Sequence, residues 1–373
     1  MMQTTMAARI ALLTIGLLLI PGGGSADEPS PSRFDFEQNE LSAGWNTTAC
    51  AASLEITREA ENVREGRGAL EFAWEAADGR LAIVSVSGVS LEERARSLRL
   101  SLKLGARGPV MYGVQEADGS SYQGYLYTPG GVWHDVAVDL DELMLSEGSE
   151  DENGRLDVHE IDSIMVADLS NIDGEAGKSL GIKQGRQMMW LDNVELSSQL
   201  APHRSSRGPN DGVFIDDFER LRARPTEIHA LPIGRLRLSL VDGPGGDDAS
   251  ALRVRYAADG YRWAGFVAAV GYLDLTGRSR ICLNVRAEQA APMQVVLEER
   301  DGSKYVARHR LDAERGWYEL RLPFEKFKLD PQTQDENEQL DLDQLRVIIP
   351  VVDTKNAETD DGGVWDVSRI WVE

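Results

Sequence analysis

Cysteine is nearly absent: two stand in 373 residues, Cys50 and Cys282, in opposite halves of the chain. So few thiols exclude a disulfide framework, the usual support of small extracellular folds. One bridge between the halves stays open on counting alone. Cys282, however, sits in the alternating run Arg280-Ile281-Cys282-Leu283-Asn284-Val285 and reads as a small buried hydrophobe. Positive charge is also short. Lys and Arg number 39 against 62 Asp and Glu, a net charge of -23, which argues against nucleic acid and anionic membranes as partners. The 5 histidines are scattered, and no serine nucleophile elbow, H-E-x-x-H, close Cys-His pair or phosphate-cradling glycine loop is present. The expectation is that the chain is not an enzyme. A carboxylate pair for glycoside cleavage is defined by a distance rather than a sequence spacing, so a polysaccharide-active enzyme stays as the least favoured reading.

Long apolar runs are missing with one exception. Arg9 precedes an unbroken run from Ile10 to Ile20, too short for a membrane helix. Pro21, three glycines, Ser25 and Ala26 follow, so residues 1–26 read as a cleavable signal peptide ending at Ala26. No cysteine near that cut invites a lipid anchor. The expected protein is secreted or periplasmic, with no membrane span in its mature chain.

What is abundant is self-similarity. Phe34-Asp35-Phe36-Glu37 recurs as Ile215-Asp216-Asp217-Phe218-Glu219, and Gly68 to Trp74 recurs as Ser250 to Tyr256. Asp118-Gly119-Ser120-Ser121-Tyr122 returns as Asp301-Gly302-Ser303-Lys304-Tyr305, and Trp133 as Trp317. Leu156-Asp157-Val158 returns as Leu340-Asp341-Leu342, and each half closes on a Trp-led strand at Trp190 or Trp365. Between the halves lies a stretch of Ser, Pro, Arg and Gly without apolar periodicity. The sequence thus divides into modules at 33–197 and 213–373 joined by a linker at 198–212. Alternation with period two dominates both, which predicts an all-β fold of two tandem β-sandwich domains.

In each half Asp-Gly marks a hairpin. A two-residue turn at Asp301-Gly302 pairs Glu298 with Tyr305 and Gln294 with His309, and places those four on one outward face. The same turn at Asp118-Gly119 pairs Gln115 with Tyr122 and Gly113 with Gly124, the glycines leaving either a shallow ligand floor or room for a neighbouring loop.

The order of these motifs resembles galactose-binding-like jelly rolls. Within that group the chain resembles family-eleven carbohydrate-binding modules and complex I intermediate-associated protein domains. The resemblance runs through nearly the whole mature chain, twice. It implies two-sheet jelly rolls, a structural calcium near the strand ends, and glycan binding by tyrosines in a concave cleft. It departs in two ways: the second half has no counterpart of Gly44-Trp45, and no glycoside hydrolase domain accompanies the modules.

A sheet face that binds sugar needs aromatic planes for the pyranose ring and polar groups for its hydroxyls. The candidates are Tyr305, Glu298, Gln294 and His309 in the second half, and Tyr122 and Gln115 with Tyr125 or Tyr127 in the first. Trp45 and Trp263, each beside a glycine-bearing loop, join them. Trp74, Trp133, Trp190, Trp317 and Trp365 read as packing residues.

For metal, Ser149 to Glu160 matches most of an EF-hand loop, with Asp151, Asn153, Asp157 and Glu160 as oxygen ligands and Gly154 at the tight turn. Ser149 replaces the usual first Asp, and Gln339 stands where the second half would need its glycine. The plainer alternative is an acidic surface loop. The family resemblance would add a second calcium site at Glu37 with Asp192, and one at Glu219. The favoured function is non-catalytic binding of a polysaccharide or glycoconjugate. A protein-interaction module of the intermediate-associated type is the alternative.

Overall fold

The computed structural model describes residues 33–373 except 39, 78–80, 90–94, 129, 147–148, 150, 152, 172–182, 202–208, 217, 219–230, 234–235, 245–248, 258–261, 270–274 and 357–361. The expected signal peptide, residues 202–208 of the expected linker and Glu219 lie outside the described residues. Among the described residues, regular structure consists of β-strands and short 3-10 turns, so the chain is all-β. No helix among them is long and apolar enough to cross a membrane.

The strands of the first half are β1 (Arg33–Phe34), β2 (Trp45–Thr47), β3 (Ser53–Thr57), β4 (Ala69–Ala76), β5 (Ala82–Ser87), β6 (Ser97–Leu104), β7 (Gly108–Glu116), β8 (Ser121–Thr128), β9 (His134–Asp139), β10 (Met144–Leu145), β11 (Ile161–Asp168) and β12 (Gly185–Ser197). Those of the second are β13 (Val213–Asp216), β14 (Leu231–Ile233), β15 (Leu236–Asp242), β16 (Ser250–Tyr256), β17 (Trp263–Ala269), β18 (Arg280–Ala287), β19 (Ala291–Glu299), β20 (Lys304–Leu311), β21 (Tyr318–Pro323), β22 (Lys328–Leu329), β23 (Leu345–Asp353) and β24 (Gly363–Val372).

Each half forms two antiparallel sheets. In the first, a closing sheet has the order β3-β4-β12-β6-β9 with β1 on β12, and a hairpin sheet has the order β10-β8-β7-β11-β5-β2. In the second, the closing sheet runs β15-β16-β24-β18-β21 with β13 on β24, and the hairpin sheet β22-β20-β19-β23-β17-β14. Every strand of the second half therefore occupies the place of the strand twelve earlier. Alternation gives each sheet an apolar inner face, and the two inner faces meet as a sandwich core. Leu70, Phe72, Leu100 and Leu102 of the closing sheet meet Val84, Val114, Leu126 and Val166 of the hairpin sheet in the first half. In the second, Leu252, Leu283 and Trp365 meet Phe266, Val295 and Ile348, with Trp365 stacked on Phe266 at 5.9 Å. Trp74 likewise stacks on Phe72 at 4.6 Å. Cys282 is a free, buried thiol; burial pushes it up to about 12, so it behaves as the apolar filler its pattern suggests.

The hairpins depart from the expected two-residue turn. Glu299 N–H donates to Ser303 O, and Gly302 N–H back to Glu299 O, which leaves a three-residue loop with Gly302 at φ 89°. Glu116, Ser120 and Gly119 repeat this arrangement. This is a turn followed by a left-handed glycine, and its extra residue shifts the register by one. Tyr305 stands opposite Leu297, and His309 opposite Met293; Tyr122 stands opposite Val114, Gly113 opposite Gln123, and Gly124 opposite Tyr112. A one-residue slip exchanges the faces of a strand. Tyr122 and Tyr305, expected outside, are therefore core residues with 0% and 2% exposure. The two glycines do not share a floor. Gly124 instead makes room for the Tyr112 ring, which a Cβ there would meet at 2.7 Å.

The halves also pack on each other. Val267, Val296, Val347, Ile349 and Val351 point away from the second core, yet they are buried in a cluster with Met144 on β10 and with the half-buried Tyr125 on β8. Tyr125 also packs against Ile83, Met111 and Met165 on the outward face of the first hairpin sheet. An apolar seam thus joins the two hairpin sheets, and Arg300 donates across it to Gly154 O at 3.2 Å.

Candidate functional site

The expected ligand face does not assemble as drawn. Tyr122 donates to Asp151 and Tyr305 to Asp335 from inside the sandwich, and the Tyr305 phenol pKa is raised by desolvation first and Asp335 second. His309 is half-buried on the inward side, its ring 6.2 Å from that of Tyr318. Desolvation, then Arg315, lowers its pKa. Glu298 does face away from the core, but it is buried in ion pairs with Arg346 and with Lys304, the latter at 3.1 Å. Gln294 is half-buried beside it. Gln115 bonds to Gly119 O at 3.1 Å and Ser121 Oγ at 3.2 Å, within its own hairpin end. Tyr125 and Trp263 belong to the seam, with Arg262 4.8 Å above the Trp263 ring. Trp45 packs edge-on against Phe34 and tilted against Phe36, both at 5.4 Å, so it fills the core rim and is not a free platform.

What the structure does bring together is an acidic loop at the hairpin end of each half. In the first, Asp151 accepts from Tyr122 OH, from Asn153 N at 2.9 Å and from Gly154 N at 3.2 Å. Asn153 Nδ2 donates to Asp157 at 2.8 Å, and Asp157 N donates to Glu116 at the head of the hairpin. In the second half Tyr305 donates to Asp335, Asn337 N to Asp335, Asn337 Nδ2 to Asp341 and Asp341 N to Glu299, which repeats the first loop except for the Gly154 bond. Glu160 is not part of the network. It is exposed in a 3-10 turn, and the carboxylate facing the loop comes from Glu116 instead.

A motif anchored on Gly154 has no counterpart in the second loop, where Glu338 stands at that place. Aligning Asp-x-Asn-x-x-x-Asp gives the true match, and Glu338 takes the glycine's place with its own positive φ of 53°.

The second loop suits a hard cation. Oxygens of Glu299, Asp301 and Asp335 lie within 4.8 Å of one another. Glu299 is 2% exposed, and its pKa is pushed up to about 7 by desolvation first, with repulsion from Asp301 and Asp335 adding to it. Glu116 is raised to about 7 for the same leading reason, with Asp151, Asp118 and Asp157 as its repelling neighbours. Converging carboxylates that repel one another are relieved by a divalent ion with oxygen preference. Beside the second loop, Asp301, Leu329, Thr333, Asp335, Glu336 and Glu338 line an open cleft.

The other expected cation position fits less well. Glu37 accepts from Arg67 N at 2.7 Å, Arg67 Nε at 3.3 Å and Gly68 N at 3.3 Å. Asp192 accepts from the amides of Arg64 at 3.1 Å and Glu65 at 3.0 Å. The two carboxylates clamp residues 64–68 from either side, and backbone amides already supply the compensation a cation would give.

No family model matches the sequence, and no curated protein matches it. Among solved structures, the chain is similar to the family 11 carbohydrate-binding module of a cellulosomal cellulase of Clostridium thermocellum, at 18% identity over 45% of this chain and 95% of that one, with a TM-score of 0.32. It is similar to the N-terminal CBM22 tandem domain of Paenibacillus barcinonensis Xyn10C, at 14% identity over 91% of this chain and 95% of that one, with a TM-score of 0.29. An exo-β-agarase matches at 14% identity over 50% of this chain and 26% of its own, with a TM-score of 0.35.

Proposed function

We propose that the chain is a secreted, non-catalytic glycan-binding protein made of two jelly-roll modules. The reading rests on one coincidence between sequence and fold. The motif order that resembles carbohydrate-binding modules falls on the same strands of the same sandwich in both halves, down to an opening strand laid against the Trp-led closing strand, β1 on β12 and β13 on β24. Secretion rests on the apolar run at Ile10–Ile20. Tyr122 and Tyr305 serve the two cores, and Tyr125 and Trp263 serve the seam.

We propose further that each acidic loop binds a structural calcium: Glu116, Asp151, Asn153 and Asp157 in the first half, and Glu299, Asp301, Asp335, Asn337 and Asp341 in the second. The ion would neutralise the repelling carboxylates and hold the loop against the hairpin. Affinity electrophoresis of the full chain through gels containing β-glucan, mannan, xylan or pectin, with calcium and then with chelator, tests the reading. Retardation by a polymer without release of reducing ends is the expected result. Release of reducing or unsaturated ends would replace it with an enzyme.

A further inference from the structure

The outward face of the second closing sheet carries the opposite sign from the protein as a whole. Opposed residues in an antiparallel pair point to the same side, so the register fixes this face row by row. Arg237, Arg255 and Val364 form one row. Ser239, Arg253, Asp366 and Arg286 form the next. Arg369 with Asn284 and Glu319, and Trp371 with Cys282 and Arg321, continue it. The carboxylates available are Asp366, Glu319, Glu373 and Glu288, fewer than the arginines.

Two features of this face point to a ligand. Arg237 and Arg255 are directly opposed and exposed, with no carboxylate paired to either among the described residues. Like charges in that position cost stability unless an anion joins them. In the neighbouring row Asp366 is buried under two guanidinium groups, accepting from Arg253 Nε at 2.8 Å and from Arg286 Nε at 2.9 Å. The Arg286 guanidinium in turn lies 4.8 Å from the centre of the Trp317 ring. The arginines are therefore held in place before any ligand arrives, beside a half-buried aromatic ring. The row crosses four of the five strands, roughly 14 Å at the usual strand spacing.

The first half provides an internal contrast. There the same face carries Glu55, Glu71, Glu75, Asp135 and Glu195 against Lys103, Arg99 and Arg186. An arginine face is thus not a requirement of the sandwich.

We propose that this face binds an acidic glycan through its uronate carboxylates. The inference rests on the glycan-binding reading and narrows it to a substrate class. Guanidinium groups match planar carboxylates in bidentate geometry. A flat sheet face suits an extended chain of rings that carries one charge per sugar. The net charge of -23 opposes approach from a distance, but it is screened beyond about 8 Å at physiological salt, so the local arginines decide contact.

The test is calorimetric titration of the full chain with an oligogalacturonate long enough to cross the sheet. A neutral cello-oligosaccharide and a single-stranded DNA of equal charge are titrated alongside. The inference predicts that oligogalacturonate binds, that binding weakens as salt rises, and that Arg237→Gln/Arg255→Gln weakens it at least about tenfold, the scale of one lost charge-assisted contact. That variant melts no lower than the wild type, since it removes a like-charge pair, and Glu55→Gln on the first-half face leaves binding unchanged. Equal affinity of the variant overturns the inference. So does DNA binding as tight and as dependent on the arginines, and so does salt-sensitive self-association relieved by the variant, which would assign the face to a second copy. Binding of neutral glycan alone would overturn this inference while leaving the glycan reading standing; failure of every glycan would remove both.

Discussion

Tyr305 stands opposite Leu297 across its hairpin, not opposite Glu298. That one step of register takes the ring into the core and its hydroxyl to Asp335. Tyr122 does the same with Asp151. Replacing Tyr305 or Tyr122 by Phe is expected to cost about 1.5–3 kcal/mol each, the range for a hydrogen bond to a charged group. The change will appear as a lower urea midpoint with the unfolding slope unchanged. Glycan retention of the folded variants stays as it was. Lost retention at an unchanged midpoint would put these tyrosines back on a ligand face.

Calcium is expected to raise the melting temperature of the full chain. An ion present at a hundred times its dissociation constant stabilises by about 2.7 kcal/mol per site. Asp335→Asn removes a carboxylate from the group within 4.8 Å and should abolish the second half's share, and Asp151→Asn the first half's. A thermal melt in calcium and in chelator distinguishes the outcomes. Equal shifts in the double variant and the wild type would place the ion elsewhere or nowhere.

The acidic loops also set a pH dependence. Glu116 and Glu299 have folded pKa values of about 7 against 4.5 for the free side chain. A carboxyl raised by folding favours the folded state below its unfolded value, and that contribution is lost as pH rises through the folded value. In chelator, melts between pH 4.5 and 7 should therefore show stability falling with pH from these two groups. Glu116→Gln/Glu299→Gln flattens that window, and calcium opposes the loss at neutral pH. A double variant with the same slope as the wild type would contradict the assignment.

The seam predicts that the halves travel together. Ile349 and Val347 are wholly buried on a face that points away from their own core, so the first half is what covers them. A protease site inserted within 202–208 and cut in the folded protein should leave two fragments that co-elute on gel filtration. Ile349→Asp should separate them, because an unpaired charge in an apolar contact is expensive. Separation of the uncharged, cut protein would mean that the seam contributes little.

Much of this fold was legible in the sequence. The duplicated motifs and period-two alternation foretold two all-β sandwiches, and their strand orders coincide element by element. What failed was register. Asp-Gly serves a two-residue turn or a three-residue loop with glycine at positive φ equally well, and the choice exchanges inside for outside. The deciding signal lay further along β20. Lys304, Arg308 and Arg310 alternate with the buried Tyr305, Ala307 and Leu311, and arginines do not alternate into a core. The seam could not be read at all. Val347, Ile349 and Val351 lie in β23, which is apolar on both faces, and such a run says that something covers the strand without saying what.

The most direct test of the central claim is a glycan array probed with the labelled full chain in calcium-containing buffer. Signal confined to a coherent set of glycans, with the strongest among uronate-bearing polymers and no turnover of the spotted sugar, is the predicted result. An array without signal, from protein whose cooperative melt shows it to be folded, would contradict glycan binding.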